Sequence, residues 1–369
     1  MILLCFIFFL TTFLAFGVKP SNTSIIYSEK YSFTKKPHYE AVIVFFIFII
    51  LASFSGFRSE YNDTATYLYN FSNDIPQSFD RIVNIDWSLG QNPGFIICQI
   101  FIKQFISTNQ YVFILFTSTI VTYLFVNSFY RYSQVFYFTI FLFIASGLFI
   151  FTMAAIKQVL AMSIGFWAIK FLLEKKQIKF ILILILASTI HPYILLYLVA
   201  FFLRNEVWSK KIYIFLFSTI FVGVLFNQFL PIVVNLNSKI GNVYDIEYFE
   251  NIVGMNKLRV AVFSGVPILS FIYRKKINKY NSQLLNISIN FSIISLLFMI
   301  IASFGAANMF GRLGVYFEPF VYVALPWIIH SFFNKKIKSL VTIVCFIMYS
   351  FFFFYQFTIA KDFQYSTWL

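Results

Sequence analysis

The chain has 369 residues, 60% of them apolar and 11% charged, with a mean hydropathy of +0.80. A soluble domain carries about a quarter charged residues, so a soluble enzyme is excluded, and repeated apolar runs near the ~20 residues of a bilayer crossing indicate a polytopic membrane protein. The net charge of +14 does not indicate nucleic acid, because the Lys and Arg sit in small clusters between apolar runs and form no continuous basic stripe. In lipid the backbone must satisfy its own hydrogen bonds, so the spans are expected to be helices. A β-barrel would need alternating strands, and runs such as Phe351 to Phe354 do not alternate. The expected class is therefore all-α, with about 11–13 transmembrane or re-entrant helices.

In chain order the apolar runs fall at about 1–18, 41–57, 111–128, 135–151, 157–173, 178–203, 212–233, 258–273, 284–304, 313–332 and 340–358. The first lacks the basic start of a secretory signal and reads as a span. Between 58 and 110 lies a long stretch containing one short amphipathic helix, Pro93 to Ile106, suited to an interface. The run 135–173 is broken only by the polar pair Lys157-Gln158, where a tight turn is expected. His191-Pro192 interrupts 178–203, which is too short for two crossings. A broken or re-entrant pair there requires a covering of protein or a water-filled cavity around His191. A second long stretch covers 234–257, and no Gly- or Ser-rich linker divides the chain, so 1–369 reads as one membrane domain.

Charge sets an expected orientation. Stretches near 19–40, 129–134, 174–179, 204–211, 274–283 and 333–339 hold eighteen Lys and Arg and are placed in the cytoplasm. Nine lie opposite: Arg58, Arg81, Lys103, Lys157, Lys239, Lys257, Arg259, Arg312 and Lys361. The stretches 58–110 and 234–257 then face outward, with both termini outside. Cys5, Cys98 and Cys345 form no CxxC or Cys/His cluster, so neither structural zinc nor a disulfide framework is expected.

Ionisable groups at membrane depth are costly and mark functional candidates. Arg58 opens the outward stretch, where its planar donors could fork onto phosphate; the alternative is a snorkelling interfacial Arg. Asp63 could accept a proton or orient a sugar hydroxyl, or simply be a solvated cap. Lys157 tops two spans as a potential anion site, or serves as a turn residue. His191 titrates near neutral pH and can act as a general base, although a lone His more often packs. Arg312 lies near an outer end, and Glu318, six residues on, could pair with it or with Arg259. Arg58, Lys157, Arg259 and Arg312 all map to the outer face, as an anionic lipid head group there would require. The sequence has no phosphate-binding Gly-rich loop, HExxH, GxSxG or DxD-type pair.

The ordered set of motifs resembles the EpsG family of bacterial exopolysaccharide proteins. Arg58 followed by Asp63 and Tyr67 is similar to its opening motif, as is the run to Asn92-Pro93-Gly94-Phe95 with a turn at Ser107-Thr108-Asn109. Ile156-Lys157-Gln158 continuing to Ala161, then Glu174-Lys175-Lys176, resembles its middle segment. Ala187 to Leu195 with central His191, and Gly311-Arg312 leading to Tyr316-Phe317, resemble its later ones. The resemblance spans roughly 55–320. Lys157 stands where the family usually has Arg, which keeps charge but loses a bidentate fork, and Pro192 follows the His.

This resemblance implies a Wzy-type repeat-unit polymerase in the bacterial cytoplasmic membrane, metal-independent and without a cofactor. Such an enzyme transfers glycan from undecaprenyl pyrophosphate to a new lipid-linked repeat unit on the outer face. It implies His191 or Asp63 as the base, with Arg58, Tyr67, Lys157, Gln158, Arg259 and Arg312 holding substrate. The partners implied are the undecaprenyl-pyrophosphate-linked oligosaccharide and the bilayer, with a chain-length regulator and a flippase as further candidates. The alternatives are a flippase of the lipid-linked oligosaccharide, against which the sequence shows no internal repeat, and an O-antigen ligase-like transferase.

Overall fold

The computed structural model describes residues 1–20, 37–80, 86–88, 91–239, 254–360 and 363–368. Most of the stretch 19–40, Arg81, the centre of the 234–257 stretch and Lys361 therefore lie outside the described residues. The chain is a multi-pass helical membrane protein. Among the described residues five helices are long and apolar enough to cross a bilayer, three bent helix pairs pass the same test together, and four further apolar helices are shorter. This is the all-α polytopic class that composition indicated. The described residues divide into two compact units, one within 1–195 and 344–368, the other within 196–343.

The first unit opens with α1 (Ile2–Ala15) and α2 (His38–Gly56), followed by a three-residue strand β1 (Arg58–Glu60) and the short helix α3 (Thr64–Asn73). The amphipathic segment forms α4 (Pro93–Phe105), and α5 (Gln110–Tyr132) starts where the Asn109 side chain accepts a bond from Tyr111 N at 2.9 Å. Next come α6 (Phe136–Ala145), α7 (Leu148–Ala154), α8 (Ile156–Leu173) and α9 (Gln177–Ser188). Gly147, at φ +89°, makes the 51° bend between α6 and α7, a left-handed position that glycine adopts without Cβ penalty. Ala155 alone separates α7 from α8, so the tight turn expected at Lys157 is present two residues earlier.

Lys103 explains how a charge can be 93% buried in this unit. Its ammonium donates to the carbonyls of Phe71 (2.7 Å), Ser72 (3.1 Å) and Ile75 (2.8 Å), and lies 5.3 Å from the Phe71 ring. It thereby satisfies the carbonyls that helical bonding leaves open at and just beyond the end of α3, the favourable place for a cation. Burial pulls the ammonium pKa down, opposed by Asp74. Lys103→Met should destabilise the protein by about 1–3 kcal/mol, because three carbonyl acceptors lose a shared donor. Thermal unfolding in detergent checks this, and an unchanged midpoint would rule out the cap.

After α9, the residues Thr189-Ile190-His191 lead into a 3-10 helix at Pro192–Val199. The break sits where His191-Pro192 placed it, since Pro192 has no N–H to donate. The second unit continues with α10 (Ala200–Leu203), α11 (Lys210–Val224), α12 (Phe226–Lys239), α13 (Lys257–Phe263), α14 (Gly265–Tyr280), α15 (Gln283–Phe304), α16 (Ala307–Val315) and α17 (Glu318–Phe332). Helix α18 (Lys335–Phe354) passes back into the first unit, where a π-helical turn (Tyr355–Ala360) and strand β2 (Ser366–Thr367) follow.

The runs 212–233 and 258–273 also depart from a single straight crossing. The run 212–233 folds as α11 and α12 with a 104° bend at Leu225. Gly223 sits against the Phe304 ring and Phe226 against Gly305, so packing on the end of α15 sets the turn. The run 258–273 is split between α13 and α14, and α14 ends in Arg274, Lys275, Lys276 and Lys279, which keep it below the apolar content of a span. Helix α15 is the most enclosed of the long apolar helices, buried along almost its whole length. Its Asn286 donates to the carbonyls of Arg204 and Asn205, and its Asn290 to those of Leu203 and Glu206. Two amides thus satisfy the end of the short helix α10.

Candidate functional site

In the first unit the site begins where α2 stops. Arg58 in β1 is completely buried. Its Nε donates to Thr64 Oγ1 at 3.1 Å, and its Nη1 to Ser118 Oγ at 2.8 Å and to the Ser55 carbonyl. The guanidinium therefore joins the end of α2, the start of α3 and the middle of α5. Every one of these partners is neutral. Among the described residues no carboxylate forms an ion pair with Arg58, and its Nη2 has no hydrogen-bond partner.

A buried cation without an anion is expensive, and the structure shows the strain electrostatically. Burial lowers the Arg58 pKa to about 10, against the opposing pull of Tyr365, Tyr67 and Tyr61. Burial likewise raises Tyr61 and Tyr365 to about 12, with Arg58 acting to lower both. Arg58 stays charged at neutral pH, so the first unit holds a buried positive site on which three phenols, Tyr365, Tyr67 and Tyr61, act.

The other candidates of this unit connect to it through packing. Asp63 is half-buried and precedes α3, its carbonyl accepting from Tyr67 N at 3.1 Å. The Tyr67 ring meets Phe95 edge-on at 6.1 Å, at the start of α4. One residue earlier, Gly94 N donates to the Thr189 carbonyl at 2.9 Å, and a Cβ on Gly94 would lie 2.0 Å from Thr189 Oγ1. Only glycine allows this approach. It locks the 58–110 stretch onto the chain break that carries His191.

His191 is half-buried, with its N–H donating to the Ala187 carbonyl at 3.1 Å and its ring 5.4 Å from that of Tyr193. Lys157 and Gln158 lie in the first turn of α8, Lys157 half-buried and Gln158 buried. Helices α8 and α9 pack as neighbours joined by the tight Glu174-Lys175-Lys176 turn. The chain therefore brings His191 back toward the end of α8 that bears Lys157. A helix N-terminus with an adjacent Lys is a favourable anion position.

The second unit contains Arg259 and Arg312. Arg259 on α13 pairs through Nη2 with Glu318 Oε1 at 2.5 Å, and its guanidinium lies 4.8 Å from the Phe263 ring. Glu318 is fully buried in the first turn of α17, where the helix dipole favours a carboxylate, and its Oε2 accepts from Tyr322 at 3.1 Å. Of the two partners the sequence left open for Glu318, the geometry selects Arg259. Arg312 on α16 is exposed, and its neighbour Gly311 packs against Met255, four residues before Arg259.

Sequence reasoning did not find the cover on Arg58. Strand β2 pairs antiparallel with β1, Arg58 opposite Thr367 and Glu60 opposite Ser366. The only sequence signal is an aromatic triad in a polar tail, Phe363, Tyr365 and Trp368. A pairing across more than three hundred residues leaves no local trace.

Against this geometry, the family model of EpsG matches residues 41–368. No curated protein and no solved structure matches the chain. The chain belongs to the EpsG family, a family of Wzy-type polymerases.

Proposed function

For a member of that family with this arrangement, we propose polymerisation of capsular or exopolysaccharide repeat units on the outer face of the cytoplasmic membrane. The donor is a glycan on undecaprenyl pyrophosphate, and the acceptor is the terminal sugar of a new lipid-linked repeat unit. The bond from the anomeric carbon to the pyrophosphate oxygen breaks as a bond to the acceptor oxygen forms. The acceptor proton passes to a base, and undecaprenyl pyrophosphate leaves as the anion. The observation that carries this reading is the buried Arg58 guanidinium, which has only neutral partners among the described residues and so favours an incoming anion.

In this reading Arg58 and Lys157 hold the diphosphate, and the charge growing on the leaving group is met by donors already in place. Tyr67 and Gln158 contact substrate beside them. His191 or Asp63 takes the acceptor proton; the Gly94–Thr189 contact ties both to one packed unit. Arg259 and Arg312 bind substrate on the second unit, Arg259 oriented by Glu318. The side chains supply the positive charge, so the reaction is proposed to run without a metal.

Surface glycan from a deletion strain, resolved on a gel, tests the reading. Deletion should leave single repeat units on the lipid carrier at the outer face, and the intact gene should restore long chains. A His191→Ala lane should remain near single repeats, since loss of a general base costs about 10²–10⁴ in rate. Repeat units trapped on the inner face would instead identify a flippase. Unchanged polymer length on deletion would sink the polymerase reading.

A further inference from the structure

The segment Phe363–Trp368 packs beside Arg58, with Thr367 paired to it and Tyr365 close enough to act on its charge, and is held there by many small contacts. Tyr365 donates to the Phe54 carbonyl at 2.7 Å and stacks on the Phe54 ring at 4.5 Å and 5°. Trp368 donates from its backbone N–H to the Phe57 carbonyl at 3.1 Å and from Nε1 to the Gly56 carbonyl at 3.4 Å, and stacks on Tyr111 at 5.3 Å. Ser366 Oγ bonds Glu60 Oε2 at 2.8 Å, and Phe363 meets Tyr61 at 5.4 Å. The carbonyls of Phe54, Gly56 and Phe57 belong to the last turn of α2 and its exit, the same backbone that delivers Arg58.

Three observations together mark this cover as removable. The strand is two residues long, so its pairing is a minimal ladder, and such edges open locally at low cost. Beneath it lies a guanidinium with an unpartnered, fully buried Nη2 and no carboxylate among the described residues. The cover itself brings one phenol, Tyr365, and one indole, Trp368, which can shield a cation but cannot neutralise it. An anion reaching Nη2 would relieve that charge, and with the strand paired Arg58 has no exposed surface for it to reach.

We propose that Tyr365–Trp368 is a gate over the Arg58 site, and that a prenyl diphosphate reaches the guanidinium only when β2 separates from β1. The proposal rests on the reading of Arg58 as a diphosphate ligand and adds the route by which the site is entered. It assigns Trp368, through its grip on the end of α2 and on Tyr111, the role of a latch.

The test is a reversible lock on the full chain in nanodiscs. Glu60 and Ser366 are partners across an irregular step of the ladder, with side chains in contact, so Glu60→Cys with Ser366→Cys should form a disulfide on oxidation. Binding of geranyl pyrophosphate is measured for the oxidised and the reduced pair. The oxidised form should bind at least tenfold more weakly, and reductant should restore wild-type affinity. Equal affinity in both forms would overturn the gate. If the pair does not fold, Trp368→Ala serves instead: several-fold faster association supports the latch, while unchanged or slower association rejects it. Arg58→Gln in the same assay separates the two ideas. Wild-type affinity in that variant means the ligand reading itself has failed, whereas weak binding beside a freely binding locked pair means that only the gate has failed.

Discussion

Arg58→Lys should cut glycan elongation by about 10²–10³ while the protein still accumulates in the membrane, the loss expected when one preorganised donor to a developing oxyanion is removed. Lysine keeps the charge and loses the planar fork. In this fold the fork has two tasks. Nε and Nη1 bind Thr64, Ser118 and the Ser55 carbonyl, and Nη2 is left over. A single ammonium cannot span α2, α3 and α5 and also present a donor to substrate. Arg58→Ala should add a loss of stability of about 1–3 kcal/mol, since buried acceptors lose their donor. That loss is bounded because Thr64 Oγ1 keeps its bond to the Tyr61 carbonyl and Ser118 Oγ its bond to Ser55. Polymer ladders and membrane-fraction blots read the two effects separately. Full-length polymer from Arg58→Lys would show that charge alone suffices and would remove the argument for the fork.

Arg259→Ala should be the most destabilising single change in the second unit, by about 3–5 kcal/mol at most, because it strands the fully buried Glu318 carboxylate. The upper figure is moderated by the guanidinium, which is 21% exposed and already partly hydrated. Glu318→Gln should cost less, because the amide oxygen still accepts from Arg259 and the partly exposed guanidinium keeps some hydration, although the favourable charge at the helix N-terminus is lost. Joint replacement by Arg259→Met and Glu318→Met should recover most of the stability, the usual outcome when a buried pair is exchanged for apolar packing. Scanning calorimetry of the wild type and the three variants ranks these costs. A joint variant no more stable than Arg259→Ala would mean that the pair is not the source of the loss.

Much of the fold was readable from hydropathy because lipid imposes one rule on every span. The runs 111–128 and 284–304 became α5 at Gln110–Tyr132 and α15 at Gln283–Phe304. The break at His191-Pro192 was visible because proline withdraws a donor. The 104° bend at Leu225 was not, since apolar residues continue through it and the cause is a ring on another helix. The same distinction governs the site. Arg58, Lys157 and His191 stood out as ionisable groups in apolar surroundings. What the sequence could not convey was environment: that Arg58 lies under a strand from the far end of the chain, or that Lys103, read only as an outward charge, is the cap of α3.

The grip of Asn286 and Asn290 on the carbonyls of residues 203–206 has a consequence for how the chain is made. Those carbonyls leave the ribosome 81 to 87 residues before the amides that satisfy them. Asn205 and Glu206 are exposed and can be satisfied by water meanwhile, but the buried carbonyl of Leu203 lacks its Asn290 donor until α15 has been synthesised. The end of α10 is therefore completed by a helix made later in the chain, and the turn that follows it is fixed only when that helix arrives.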